Sequence, residues 1–305
     1  MSRRTKQVLS RVGGIVLLAV LALLINQYIS ESEKDISMST SMPSGIMEVH
    51  FIDVGQGDAI LVETGSSTML IDAGENSKGT IVKEYLENQQ ITKLDYVIGT
   101  HPHSDHIGGL DTIIDSFEVG KVLLPKVTHT TKTFEEVLDA LEEHDLTVTA
   151  PQVGDRYYLG SASFTILAPS AATYEELNNY SIAIKLTFGD NSFLLAGDAE
   201  KLSEDEMLST GINLSADVLK LSHHGSSYSS STEFLEMVDP SYSIVCVGKD
   251  NEYGHPHSET LQAVLDRNIK LYRTDEQGSV VFTSDGQTIS VNTQDYIITE
   301  QELEQ

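Results

Sequence analysis

Between Thr100 and His106 the chain carries three imidazoles and a carboxylate in the order His101-Pro102-His103-Ser104-Asp105-His106. Histidine nitrogens and carboxylate oxygens at this density are the donor set of a metal centre, taking one or two ions. They cannot all point one way from a regular strand or helix, so a loop has to gather them. Three other points in the chain bear the same chemistry. Met69-Leu70-Ile71-Asp72-Ala73-Gly74 ends an apolar run in Asp72, a carboxylate able to orient a ligating imidazole through its second ring nitrogen. Ser192-Phe193-Leu194-Leu195-Ala196-Gly197-Asp198 ends in a carboxylate able to bridge two ions, and Asp217-Val218-Leu219-Lys220-Leu221-Ser222-His223-His224-Gly225-Ser226 ends in a histidine pair. Gly55-Gln56-Gly57-Asp58 reads as a tight turn whose Asp58 braces the metal loop, and Lys220 reads as a solvated lysine.

These residues must be presented by strand ends. Tyr96-Val97-Ile98 is an apolar strand running into the histidine cluster. Residues 49–54, 59–64 and 68–72 alternate or run apolar, with Gly65-Ser66-Ser67 as a hairpin turn between the last two. Ile81, Val82, Tyr85 and Leu86 fall at helical spacing, as do Phe134, Val137, Leu138 and Leu141. Residues 181–188 and 193–197 pair as strands around Gly189-Asp190-Asn191, and residues 260–267 form a late helix. Strands alternating with helices in two groups predict an α/β protein of two sheets packed face to face with helices outside. No internal repeat or second globular domain is visible.

The order of the strand-end residues resembles the metallo-β-lactamase superfamily of hydrolases over roughly residues 46–292. Within it, His50-Phe51-Ile52-Asp53-Val54-Gly55-Gln56-Gly57-Asp58-Ala59-Ile60, His223-His224-Gly225-Ser226, Asn251-Glu252-Tyr253-Gly254-His255-Pro256-His257 and Arg273-Thr274-Asp275-Glu276-Gln277-Gly278 resemble the soluble domain of the ComEC competence proteins. The long polytopic membrane part of a full-length ComEC has no counterpart here, so a role as a DNA-uptake channel is not supported. The resemblance implies the αββα sandwich with its metals at one edge of the sheets. It also implies one ion held by Asp105, His106, a bridging Asp198 and one histidine of the His223-His224 pair, and a second held by His101, His103 and Asp198. Only one histidine of the pair can readily face the metal; His224 is favoured because Gly225 lets the chain turn, with His223 the alternative. A typical superfamily member supplies a further histidine where this chain reads Glu176-Leu177-Asn178-Asn179-Tyr180-Ser181, so an amide such as Asn179 replaces an imidazole. The His101/His103 site is therefore expected to be the weaker of the two and to admit Mn²⁺ as well as Zn²⁺.

Such metals would lower the pKa of a water and polarise the oxygen that takes up charge. Asp105 is expected to double as a proton acceptor and His255 to serve as general acid, with Ser226 and Ser227 donating hydrogen bonds to a phosphate. The resemblance implies phosphodiester hydrolysis, with single-stranded DNA as candidate substrate. A choline phosphodiester of the cell envelope is the rival, for which Tyr180, Tyr228 and Tyr253 could build an aromatic cage. An inactive binding module is a third reading, disfavoured by the complete metal-ligand set. Nothing points to a β-lactam pocket.

The formal net charge is −27, from 19 basic and 46 acidic residues. That surface repels nucleic-acid phosphates unless bound ions reverse the field locally. Arg3, Arg4, Lys6 and Arg11 precede the apolar residues 12–25, which extend towards Tyr28 and Ile29 near the lower length limit of about 17 residues for a spanning helix. This predicts a basic cytoplasmic segment at 1–11, a transmembrane signal anchor at 12–29, a polar linker at 30–45, a catalytic domain at 46–292 outside the cytoplasm and an acidic tail at 293–305, of which 300–305 reads as disordered. A cleaved signal peptide, releasing a secreted enzyme, is the alternative. The single cysteine, Cys246, lies in an apolar run and reads as a buried structural thiol; no feature specifies an oligomeric state.

Overall fold

Period-two alternation decides the layers. The computed structural model describes residues 45–304, so the expected basic segment, membrane anchor and linker up to residue 44 lie outside the described residues. The first sheet begins with β1 (Met47–Phe51), β2 (Ile60–Thr64), β3 (Ser67–Ile71), β4 (Lys93–Ile98), β5 (Glu118–Leu123) and β6 (Val148–Thr149). The second contains β7 (Arg156–Leu159), β8 (Ala162–Ala168), β9 (Ala183–Phe188), β10 (Asn191–Leu195), β11 (Val218–Lys220), β12 (Tyr242–Val245) and β13 (Lys270–Arg273). The chain then returns through β14 (Val280–Ser284) and β15 (Ile289–Val291) to complete eight strands in the first sheet, ordered β15-β14-β1-β2-β3-β4-β5-β6, against seven in the second.

Met47, Val49 and Phe51 on β1 meet Phe164, Phe188, Phe193 and Phe282 in one core between the sheets. Each such buried phenylalanine contributes about 1.5–3 kcal/mol of apolar transfer. The outer face of the first sheet is covered by the helices Gly79–Asn88, Leu110–Ser116 and Lys132–Glu143, whose Val82, Leu86, Ile113, Val137 and Leu141 pack on Leu61, Leu70 and Val97. The helices Lys201–Ser209, Thr232–Val238 and Ser258–Asp266 cover the second sheet in the same way. The result is the expected four-layer α/β sandwich.

Both sheets change from antiparallel to parallel pairing at the point that matters. β1, β2 and β3 are antiparallel neighbours, whereas β3, β4 and β5 run parallel, with Ile71 beside Ile98. Likewise β8, β9 and β10 are antiparallel, whereas β10, β11, β12 and β13 run parallel. The carboxyl ends of β3 and β4, and of β10 and β11, therefore each open side by side, which is where ligands bind in such sheets.

Among the described residues no helix is long and apolar enough to cross a membrane. The acidic tail differs from expectation. Tyr296 bridges to Leu271 of β13, the short helix Glu300–Leu303 carries a capping box from Thr299 to Glu302, and Glu302 pairs with Arg273. Ile298 and Leu303 pack against the outer core, so the apolar residues between the charges outweigh the acidic composition.

Candidate metal centre

The loop after β4 is held in shape by backbone bonds. The short helix Ser104–Ile107 turns directly after His103, and the His106 carbonyl accepts from Ala73 N at 2.7 Å. Asp58 N donates to the Asp105 carbonyl at 3.1 Å, so the turn at residues 55–58 packs against the same loop. Gly57 is required there: its φ is +120° and a Cβ would lie 2.1 Å from the Asp105 carbonyl oxygen.

From the other sheet, Asp198 follows β10 and the histidine pair follows β11. His223 and His224 adopt left-handed φ values of 52° and 53°, followed by Gly225 at 81°. A side chain at Gly225 would meet Pro256 Cβ at 2.5 Å. The turn is thus sharper than a single glycine would make it, and strain of about 1–3 kcal/mol per non-glycine residue is stored where the side chains converge.

Four side chains come together. His106 Nε2 lies 3.2 Å from Asp198 Oδ2, and His224 Nε2 lies 3.4 Å from the same oxygen and 3.2 Å from Asp105 Oδ2. Asp105, His106, Asp198 and His224 each offer one ligand atom, all within 4.8 Å of one another. The second ring nitrogens are already engaged: His106 Nδ1 with Asp72 Oδ2 at 2.8 Å, and His224 Nδ1 with the Cys246 carbonyl at 2.8 Å. His106 Nε2, His224 Nε2 and Asp198 Oδ1 are buried without a hydrogen-bond partner. Buried polar atoms are rarely left so, and an N/O set with its outer nitrogens anchored fits a divalent ion. His223 turns instead towards Asn178 Nδ2 at 3.4 Å and Glu200 Oε1 at 3.7 Å, with its ring at the cavity wall.

His101 and His103 are looser. His101 Nε2 is 3.0 Å from His103 Nδ1 and 3.9 Å from Asp198 Oδ2, while His101 Nδ1 faces Thr100 and Ser181 hydroxyls at 3.2 and 3.3 Å. Asn179, the amide expected near this pair, is spent elsewhere: its Oδ1 accepts from Glu200 N and Ser203 N, each at 3.3 Å, and its Nδ2 donates to Glu200. The amide at the cavity is its neighbour Asn178, whose Oδ1 is buried without a partner.

Lys220 is not solvated. It is fully buried; its Nζ lies 2.6 Å from Asp58 Oδ2 and 3.7 Å from Asp198 Oδ1, and donates to the Gly197 carbonyl at 3.0 Å. Burial opposes its charge, but Asp58 and then Asp198 raise its pKa above the ordinary lysine value. Burial likewise opposes charge on His106 and His224, yet Asp198 and Asp105 outweigh it, holding His106 well above the ordinary histidine range and raising His224 to about 9. Asp198 is held well below the usual carboxylate range by those two rings despite its burial. Four carboxyl groups, from Asp58, Asp72, Asp105 and Asp198, face a single ammonium, so the centre draws in positive charge as protons or as metal.

The centre opens into a cavity of about 260 Å³ lined in part by Gln56, Ser104, Asn178, Tyr253 and His255; the sequence points to His255 as a general acid and to Tyr253 as a cage ring, but to neither Gln56 nor Ser104. His255 is pushed down to about 3 by burial and then by His224, so at neutral pH it is a neutral imidazole rather than a ready proton donor. The two serines expected to hold a phosphate do not line this cavity. Ser226 is buried, its carbonyl accepting from Thr260 Oγ1, and Ser227 pairs with His257 at 3.1 Å.

The family model for the metallo-beta-lactamase superfamily matches residues 52–249, and the chain belongs to that superfamily. It is a metal-dependent hydrolase of that fold, related to competence proteins. It is 31% identical over 253 residues to ComE operon protein 3 of Bacillus subtilis, covering 77% of this chain and 33% of that protein. Competence protein ComA of Neisseria gonorrhoeae is 30% identical over 244 residues, covering 79% of this chain and 33% of its own length. The chain thus spans about a third of the curated relatives it matches. Among solved structures, the metallo-beta-lactamase fold protein YhfI of Bacillus subtilis superposes with a TM-score of 0.54 at 13% identity, over 78% of this chain and all of that one. Igni18, a metallo hydrolase of Ignicoccus hospitalis, gives 0.51 at 18% identity, over 77% and 98%.

Proposed function

We propose that this chain hydrolyses phosphodiester bonds, with single-stranded DNA as the substrate to test first. The observation that carries the reading is the convergence of His106 Nε2 and His224 Nε2, both buried without a hydrogen-bond partner, on Asp198 Oδ2, beside a cavity that Asp105, Asp198 and His224 line. Asp105, His106, Asp198 and His224 would hold one divalent ion, and His101, His103 and Asp198 a second, weaker one, Zn²⁺ or Mn²⁺ by donor type. Bound there, such ions supply Lewis-acid polarisation and a water of lowered pKa.

The chain's own groups would do the rest. Asp72 fixes the His106 ring and the Cys246 carbonyl fixes that of His224, so neither must reorganise. Lys220 holds Asp58 and Asp198 in place. Asp105, partly exposed at the cavity wall, is positioned to accept a proton, and neutral His255 to hydrogen-bond the phosphate or leaving oxygen.

Tyr253, exposed at the cavity rim and stacked on His255 with ring centroids 5.6 Å apart, favours a nucleotide over a choline ester. One such platform suits a base. A quaternary ammonium cage needs several rings, and Tyr180 and Tyr228 do not line this cavity. The competence proteins among the relatives point the same way. An N-terminal anchor, with residues 46–292 as a catalytic domain outside the cytoplasm, completes the proposal and rests on the basic-then-apolar N-terminal sequence.

The full-length chain should cut single-stranded oligonucleotides with Mn²⁺ or Zn²⁺, and Asp105→Ala and His103→Ala should lose that cleavage. A folded, metal-loaded protein that leaves DNA intact while cleaving a phosphorylcholine ester would overturn the substrate class.

A further inference from the structure

A second group of potential ligands lies on the outer face of the first sheet. Because Met47, Val49 and Phe51 of β1 point into the core, Glu48 and His50 point the other way, towards the helix Gly79–Asn88. Glu48 sits directly opposite Glu63 of β2 in the antiparallel register. Like charges so placed repel, and among the described residues neither carboxylate has a lysine or arginine partner.

His50 stands between them. It is 3% exposed, its Nδ1 lies 3.0 Å from the Tyr85 hydroxyl, and its Nε2 is buried without a hydrogen-bond partner. That nitrogen is 3.4 Å from Glu63 Oε1 and 3.8 Å from Glu48 Oε2. Both separations exceed the roughly 2.7–2.9 Å of a charge-assisted hydrogen bond. The Glu63 separation matches the spacing of about 3.3–3.4 Å between ligand atoms around a tetrahedral ion with bonds of 2.0–2.1 Å, and the more exposed Glu48 lies 0.4 Å further out than Glu63. With the His50 proton on Nδ1 and donated to Tyr85, the Nε2 lone pair faces the two carboxylates, the usual arrangement of a ligating histidine anchored through its other nitrogen.

We propose that Glu48, His50 and Glu63 form a separate divalent transition-metal site, binding an ion of the Zn²⁺ class through one nitrogen and two carboxylates. An ion there neutralises the opposed glutamates and ties β1 to β2. These two strands flank the turn at residues 55–58 that braces Asp105. The proposal does not depend on which substrate the hydrolytic centre takes.

The test uses the untagged full-length chain stripped of metal and titrated with Zn²⁺ by calorimetry, beside Glu63→Gln, Glu48→Gln and Asp198→Ala. The parent should bind one equivalent more than Glu63→Gln or Glu48→Gln, and Asp198→Ala should retain that equivalent. Both glutamates are partly exposed, so these variants keep the fold where a change at buried His50 would endanger it. Removing one charge of the opposed pair should leave the metal-free melting temperature equal or higher, while the Zn²⁺-induced rise shrinks. Unchanged stoichiometry and affinity in both glutamate variants would overturn the site.

Discussion

The two halves of the molecule deliver their ligands to one centre by different means. The first half packs His101, His103, Asp105 and His106 into a single loop after β4, fixed by main-chain bonds to Ala73 and Asp58. The second brings Asp198 and His224 from the ends of two separate strands, through a left-handed turn at His223-His224-Gly225 and over a fully buried lysine. The first arrangement is local and carried by backbone. The second is assembled across the sheet, and it depends on charge and strain. Substitutions in the second half should therefore cost metal binding and folding together, and those in the first should cost metal binding alone.

Asp198→Ala gives the largest expected effect. Asp198 is the one carboxylate close to His101, His106, His224 and Lys220, so its loss should remove the metal and several kcal/mol of transition-state stabilisation, or about 10³-fold in rate. Elemental analysis and steady-state hydrolysis check this. Lys220→Met comes next. It leaves Asp58 buried without its cation and should destabilise the fold by about 3–5 kcal/mol in denaturant unfolding. Asp72→Asn belongs to the first half. It should weaken metal affinity by about 10–100-fold with little change in stability, and an equal loss of stability would blur the contrast between the halves.

Protons and metal compete at the junction of the halves. With His224 raised to about 9 and His106 shifted the same way by the same carboxylates, the metal-free centre favours the protonated, charged form of both rings. An ion must displace those protons, so affinity should fall as pH drops below about 9, by up to about tenfold per unit for each proton released. Calorimetry in buffers of different ionisation enthalpy counts them. Ser227→Ala should be the smallest effect: an exposed residue outside the cavity should change activity by less than about twofold, matching about 0.5 kcal/mol.

This contrast also explains what the sequence makes legible. The loop at 100–106 is readable because its ligands adjoin in the chain, and Asp72 and Asp198 are readable because each ends an apolar strand. Lys220 was misread, although a signal was present: it ends the strand Val218–Lys220 within a run, Val218 to Leu221, that is buried throughout, where a lysine has no solvent side and must find carboxylates. The choice between Asn178 and Asn179 depends on the rotation of a 3₁₀ turn, Leu177–Tyr180, which periodicity does not encode. Ser226 and Ser227 looked available because a serine-rich loop says nothing about which hydroxyls its turn buries, as at Ser226, or directs away from the cavity, as at exposed Ser227. Residues 300–305 looked disordered because their acidity hides the packing of Leu303 and the pairing of Glu302 with Arg273.

The most direct measurement is anomalous diffraction at the zinc or manganese edge from crystals of the metal-loaded full-length chain. The account predicts a peak enclosed by Asp105, His106, Asp198 and His224, with a weaker one beside His101 and His103. A map with no peak between His106 and His224, from crystals shown to contain the metal, would contradict the claim that the two halves meet in a metal centre.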